Sequence, residues 1–503
     1  MKETLPFTLL LVSLLCLVFV SCNDVSVGSS YSNPSANSGP PPPAGAVLSA
    51  CGATIGSPGT YSLNSTLATS ADGEPCISIA NVDNVTLNCN GNSITGVGEY
   101  GIGAMNVKNL IIENCNVATG KQNEISTFLS LSNVNGATVT GSIFGSNQNS
   151  LGGVLISDST DVTFGSQLAR APQNLSITAT SNPSIISQLS NAPPPSNTLY
   201  GFIDAYNNVN LTIEGNAITS NAKIILNPFM IGVGGSQNTH VINNTVNGFG
   251  NPTSRLQAGD YLTGTDDDIL IEDEAGPGAL FSGNILVNTF DCGIETVGFM
   301  KNATMSYNVV DTVFVGIGGW YYLNVSNTQY IQNALTNIEY SGFYYLRDGP
   351  LRPAGVQDLP YFFYTFPADM PAETTINFTQ NQFTGNTLHQ PYLFDGKRVG
   401  GSVSIPVYSG MAYQASGLPG TEPTLQQFIT VNNTFTNNTF DRAFGPLALN
   451  WGPPWTYTSD DIIDGGGNIC LDAPTLAPSV SPTFGDPTAP LVMVTPINCG
   501  SEK

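Results

Sequence analysis

The chain has 503 residues, a formal net charge of -23 and only 10% charged residues, against about 25% in an ordinary globular domain. With 13 Lys plus Arg and a pI near 4.1, neither a nucleic-acid backbone nor a basic amphipathic membrane surface has an electrostatic basis here. At 41% hydrophobic residues the chain is too apolar for an acidic disordered protein, so it buries a large core. The polar remainder, rich in Gly, Asn, Ser and Thr, points to a β-rich exterior protein.

In chain order, residues 1–22 come first. Lys2 precedes an apolar run from Leu5 to Val20, too short for a transmembrane helix and patterned as a secretory signal peptide. The run ends Phe19-Val20-Ser21-Cys22, similar to a lipoprotein cleavage box with Cys22 as the lipidated residue; plain secretion is the alternative. A Ser/Asn/Pro linker over 23–45 has no periodicity and reads as a tether. Residues 471–503 carry a second Pro/Thr-rich segment, expected to be a tail. The cysteines fit an oxidising compartment. We expect Cys51–Cys76, Cys89–Cys115 and Cys470–Cys499, with Cys292 left over, although sequence alone does not fix connectivity.

Between linker and tail, over 46–470, short β-type runs recur, each closed by Asn or Gly. Examples are NVTLNCNGNSITG, NLIIENCNVATG, NLTIEGNAITSN and ITVNNTFTNNTF. Apolar and polar positions alternate with the period of a half-buried strand. Asn and Gly fall where the chain must turn, because both tolerate positive φ. Copies recur about every 20 to 28 residues, the period of a solenoid. Helical heptads are missing, so the expectation is an all-β solenoid in which aliphatic residues stack and aligned Asn form ladders.

These repeats resemble those of right-handed parallel β-helix proteins, the architecture of the pectate-lyase and polygalacturonase superfamily. The opening CGATIGSPGTYSLNSTL, with its Pro58-Gly59-Thr60-Tyr61 step, and CISIANVDNVTLNCNGNSITG resemble the entry segment of that group. The resemblance implies a single-stranded right-handed parallel β-helix of roughly a dozen coils, about 60 Å long at about 4.8 Å per coil. It also implies a long glycan bound along one outer sheet.

One stretch departs from the uniform background: DDDILIEDEAGPGALFSGNILVNTFDCGIETVGFMKNATMSYNVVDTVFVGIGGWYYL. Ile271, Ile294 and Ile317 recur at equal steps. If these face inward, alternation sends Asp268, Leu270 and Glu272 outward from one coil. The next coil sends out Asp291, Gly293 and Glu295, with Cys292 inward. A third offers Phe314, Gly316 and Gly318, then Trp320 and Tyr322, and a fourth offers Gly342, Tyr344 and, at its end, Arg347. Two carboxylate pairs, Asp268/Asp291 and Glu272/Glu295, would then stack about 4.8 Å apart. Like charges that close need a cation between them or a shared proton. Carboxyls about 5 to 5.5 Å apart suit a retaining glycosidase, and clustered carboxylates suit Ca²⁺. The glycines would leave the surface shallow, while Trp320, Tyr322 and Tyr344 would offer faces for sugar stacking.

Each of these residues also has a plainer role available. The acids can simply solvate a strand face, the rings can pack under loops, Arg347 can pair with Asp348, and Cys292 can be an inert buried thiol. Two functions therefore stand side by side. One is an enzyme, lyase or hydrolase, acting on an extracellular polysaccharide outside the cell or at its surface. The lyase chemistry of the resembled group implies Arg347 as base and Ca²⁺ on Asp268, Glu272, Asp291 and Glu295. The polygalacturonase motifs are only partly echoed, in Thr265-Asp266-Asp267-Asp268 and Asn288-Thr289-Phe290-Asp291. The other function is a monomeric, non-catalytic surface rod that binds glycans or adheres.

Overall fold

The computed structural model describes residues 42–69, 75–96, 100–119, 125–145, 151–165, 197–219, 227–248, 265–274, 276–289, 291–345, 375–389, 403–404, 410–414, 424–440, 446–447, 462–470 and 492–493. Among them there is no helix. The expected signal peptide with Cys22, Arg347, Cys499 and most of the linker and tail lie outside the described residues.

The fold is a right-handed parallel β-helix. From Val47–Leu48 to Ile469–Cys470, successive strands pair in parallel with the coil before and the coil after. Right-handed winding is what the strand twist favours for parallel crossovers. One antiparallel pairing, Gly410–Gln414 with Thr424–Val431, is added to this sheet. Inward positions stack coil on coil. Ile77, Ile102, Leu129, Val154, Ile203, Ile231, Ile269, Ile294, Ile317, Phe343 and Val403 are successive register partners, and all are buried in one continuous apolar interior. β-branched side chains dominate this column because they fill a pleated, close-packed surface well. Toward the C-terminal end aromatic rings take over: Tyr330, Phe383 and Phe435 stack with centroids 4.4 Å apart at each step.

The corners are made by Asn and Gly, as expected. Asn81, Asn106 and Asn133 all adopt φ near +50°, a region open to Asn because its short amide can bond locally. Their side chains bond in series up the outside of the corner. A second, buried ladder runs from Asn216 through Asn244, Asn284, Asn308, Asn333, Asn386 and Asn438 to Asn468. The inner rungs, Asn244 to Asn438, work alike. The Asn308 amide donates to the Phe281 carbonyl and to Asn333 Oδ1, while Asn308 Oδ1 accepts the backbone and side-chain N–H groups of Asn284. At the N-terminal end, disulfides join Cys51 to Cys76 and Cys89 to Cys115, as expected. Cys292 joins neither and is buried.

Candidate functional site on the outer face

The register of the acidic stretch differs from the equal-step reading. The Thr265–Glu274 strand pairs with Cys292–Lys301 so that Ile269, not Ile271, meets Ile294. The next step, Ile294 to Ile317, is the expected 23 residues. Shifting one strand by two residues keeps every side chain on its face but changes its partner. Glu295 therefore lines up with Leu270 on one side and Gly318 on the other. Glu272 pairs with Gly234 and Val297. Neither predicted carboxylate pair forms in register.

A bend near the start of these strands makes a second correction. An added Cβ on Gly318 would meet Val315 Cγ1 at 2.9 Å, and one on Gly232 would meet the Phe229 ring at 2.7 Å. Residues three apart therefore lie on the same side of the sheet here. Between them, the chain turns two successive residues inward: a Cβ on Gly293 would meet the interior Val310 at 2.3 Å, and one on Gly316 would meet Leu335 at 3.0 Å. Gly293 and Gly316 are thus interior packing residues and do not leave the outer surface shallow, whereas Gly318 lies beside Glu295. Asp268 falls in line with Met230 and Gly293, which places it inward, not outward.

By the same bend, Cys292 does not face inward. Among the described residues neither Cys292 nor its partner Val315 belongs to the continuous interior. Ligand-type atoms of Asp267, Cys292 and Glu295 all lie within 4.8 Å of one another, and all three residues are buried. The Cys292 amide donates to Asp267 Oδ1 at 3.0 Å, and its thiol donates to Asp291 Oδ1 at 3.6 Å. The Thr289 hydroxyl donates to the Cys292 carbonyl at 3.3 Å, bracing the turn that delivers the thiol. Tyr344, half-buried, follows Gly318 in the Glu295 column. So the structure gathers Asp267, Cys292 and Glu295, with Asp291 beside them and Tyr344 two strands along. Glu272, half-buried, lies one column further on. The side chains of Trp320 and Tyr322 lie outside the described residues; the backbone of Tyr322 pairs with Gly298.

Asp268 stands out among the buried polar groups with an unpartnered atom, because it is a carboxylate and both of its oxygens are unpartnered. It is 0% exposed. Oδ1 lies beside the space a Gly248 Cβ would fill, next to Thr289 and the Asn288 carbonyl. Burial pushes this carboxyl well above the usual carboxylate range, because charge without a partner is expensive away from water.

The donor set bears on the expected metal. Ca²⁺ takes 6 to 8 oxygen ligands. Two carboxylates and a thiol fall short of that and suit a small thiophilic ion better. The described residues do not by themselves make a calcium site.

No protein-family model matches the chain, and no curated protein matches it. Among solved structures, the chain is similar to the periplasmic alginate epimerase AlgG, at 11% identity over 67% of this chain and 73% of that one, with a TM-score of 0.38. It is similar to tailspike protein 3 of bacteriophage CBA120 at 6% identity, over 86% of this chain and 55% of that one, with a TM-score of 0.39. A PL6 family polysaccharide lyase from Pseudopedobacter saltans shows 13% identity over 85% and 90% of the two chains, with a TM-score of 0.27. The parallel register, rather than these likenesses, establishes the fold.

Sequence reasoning missed Asp267 and gave Cys292 the wrong face. The signal was the Asp266-Asp267-Asp268 run: three consecutive acids ensure that whichever register holds, at least one faces out.

Proposed function

We propose that this protein is a secreted or surface-held carbohydrate-active enzyme that binds an extracellular polysaccharide along the outer face and cleaves it beside Glu295. The observation that carries this reading is the convergence of Asp267, Cys292 and Glu295 within 4.8 Å, all buried. Acidic groups that close, out of water, do not all ionise without a cation. A shared proton there is what general acid catalysis of glycosidic cleavage requires. Glu295 is the acid that donates to the leaving oxygen, since it shares its outward column with Gly318 and Tyr344. Asp267, at the short separation of a retaining pair, is the nucleophile that bonds the anomeric carbon as the leaving oxygen takes the Glu295 proton, and water later hydrolyses that bond; the Cys292 amide orients it. In the lyase form of the chemistry, Arg347 takes the proton instead. The signal-like N-terminus and Cys22 belong to the same reading, as export and optional lipid anchoring.

A polysaccharide panel tests it. Products are read by reducing ends, which report hydrolysis, and by unsaturated-sugar absorbance, which reports elimination, with calcium, with zinc and with chelator. Cleavage of one glycan class that is abolished in Glu295→Gln supports the reading. Binding without cleavage makes the protein a glycan-binding rod, and no binding to any glycan ends the polysaccharide reading altogether.

A further inference from the structure

Glu295 shares its outward column with a second carboxylate. Asp204, Gly232, Leu270 and Glu295 are successive register partners, so Asp204 lies three strand steps, about 14 Å, from Glu295 on the same face. Its direction is fixed by its neighbours, because Ile203 and Ala205 are both in the interior. Asp204 is half-buried, and burial raises its carboxyl to about 6.

Two aromatic rings frame it. Phe202, two residues earlier on the same face, meets Phe229 edge-on, with centroids 6.0 Å apart at 89°. The Phe229 ring lies against Gly232, where an added Cβ would approach it to 2.7 Å, and Gly232 is the register partner of Asp204. A carboxylate beside aromatic rings is the arrangement that recognises an ammonium group, by charge and by cation–π attraction. Among the described residues no Lys or Arg stands in this column. Lys108 and Lys301 are the only Lys or Arg among the described residues. Lys108 pairs in register with Asp83, and Lys301 lies over the Phe299 ring.

We propose that Asp204 is a specificity-determining residue that reads a positively charged, amine-bearing sugar about three units from Glu295, so that the substrate is an amino polysaccharide and not a polyuronate. This rests on the polysaccharide reading above. An extended glycan advances about one sugar per strand step, so one chain reaches both carboxylates. The net charge of -23 then favours the substrate instead of repelling it.

The test is calorimetric binding of the full chain to three hexasaccharides: fully de-N-acetylated chitohexaose, its N-acetylated form, and hexamannuronate. We expect the amine form to bind at least about tenfold more tightly than the acetylated form, with no hexamannuronate binding. Asp204→Asn should erase that tenfold preference while leaving affinity for the acetylated form unchanged, and Asp204→Glu should keep the preference. Equal binding of the amine and acetylated forms, or tighter binding of hexamannuronate, overturns the assignment but leaves the polysaccharide reading standing. A loss of thermal stability in Asp204→Asn with no change in preference also overturns it, showing that Asp204 pairs with a cation of this chain. Failure to bind any glycan, including those of the wider panel, ends the polysaccharide reading itself.

Discussion

The Asn216–Asn468 ladder and the acidic corner around Asp268 both bury polar side chains inside the same coil stack, and they do so in opposite ways. In the ladder, Asn308 gives both amide protons to acceptors and receives two N–H groups in return. At the corner, Asp268 receives none. A buried hydrogen bond contributes only modestly to stability, yet an unmade one costs the full desolvation penalty. The ladder therefore stabilises the rod, while the corner keeps a buried carboxyl that ionises only at a high desolvation cost.

The largest expected effect falls on the corner. Glu295→Gln should lower turnover of the glycan identified by the panel by about 10²- to 10⁴-fold, with an unchanged melting curve. A change below threefold would move the chemistry elsewhere on the face. Next comes the ladder: Asn308→Ala leaves Asn284 and the Phe281 carbonyl unpaired, and should cost about 3 kcal/mol in denaturant unfolding. A loss under 1 kcal/mol would mean that the ladder is not cooperative.

The pH response of stability is somewhat smaller. Burial raises Asp204 to about 6, so the folded protein holds this proton more tightly than the unfolded chain. Its contribution is present below about pH 4 and is lost as pH rises through 6, on the order of 2 kcal/mol. Asp204→Asn should flatten the stability profile between pH 4 and 7, as followed by urea midpoints. The smallest effect sets the two regions directly against each other. Asp268→Leu, a near-isosteric replacement of an unpartnered group, should be neutral or stabilising to within about 1 kcal/mol. Marked destabilisation would show that Asp268 has a partner in solution and that the contrast with the ladder is false.

Much of the fold was legible in the chain. Period-two strands closed by Asn and Gly specify a coil, because only residues that tolerate positive φ turn the chain so tightly, and Asn81, Asn106 and Asn133 do so. The expected Cys51–Cys76 and Cys89–Cys115 disulfides form where the stacking sets residues 25 and 26 apart side by side, a geometry the sequence alone did not fix. The site was legible as a region but not as a geometry. Glu295 was named and lies there; Asp268 was named and turned inward; Asp267 was overlooked.

The sequence by itself determined the class of structure, its low charge density and the position of its acidic stretch, since these depend on local backbone preference and on which residues can be buried. Tertiary structure alone decided the partners. Coil length varies where residues are added at corners, so register follows the stacking of Ile231, Ile269, Ile294 and Ile317 in the interior and not an even count along the chain. A two-residue offset and one bend, both set by that packing, brought Asp267 and Cys292 to Glu295 and left Asp268 alone inside.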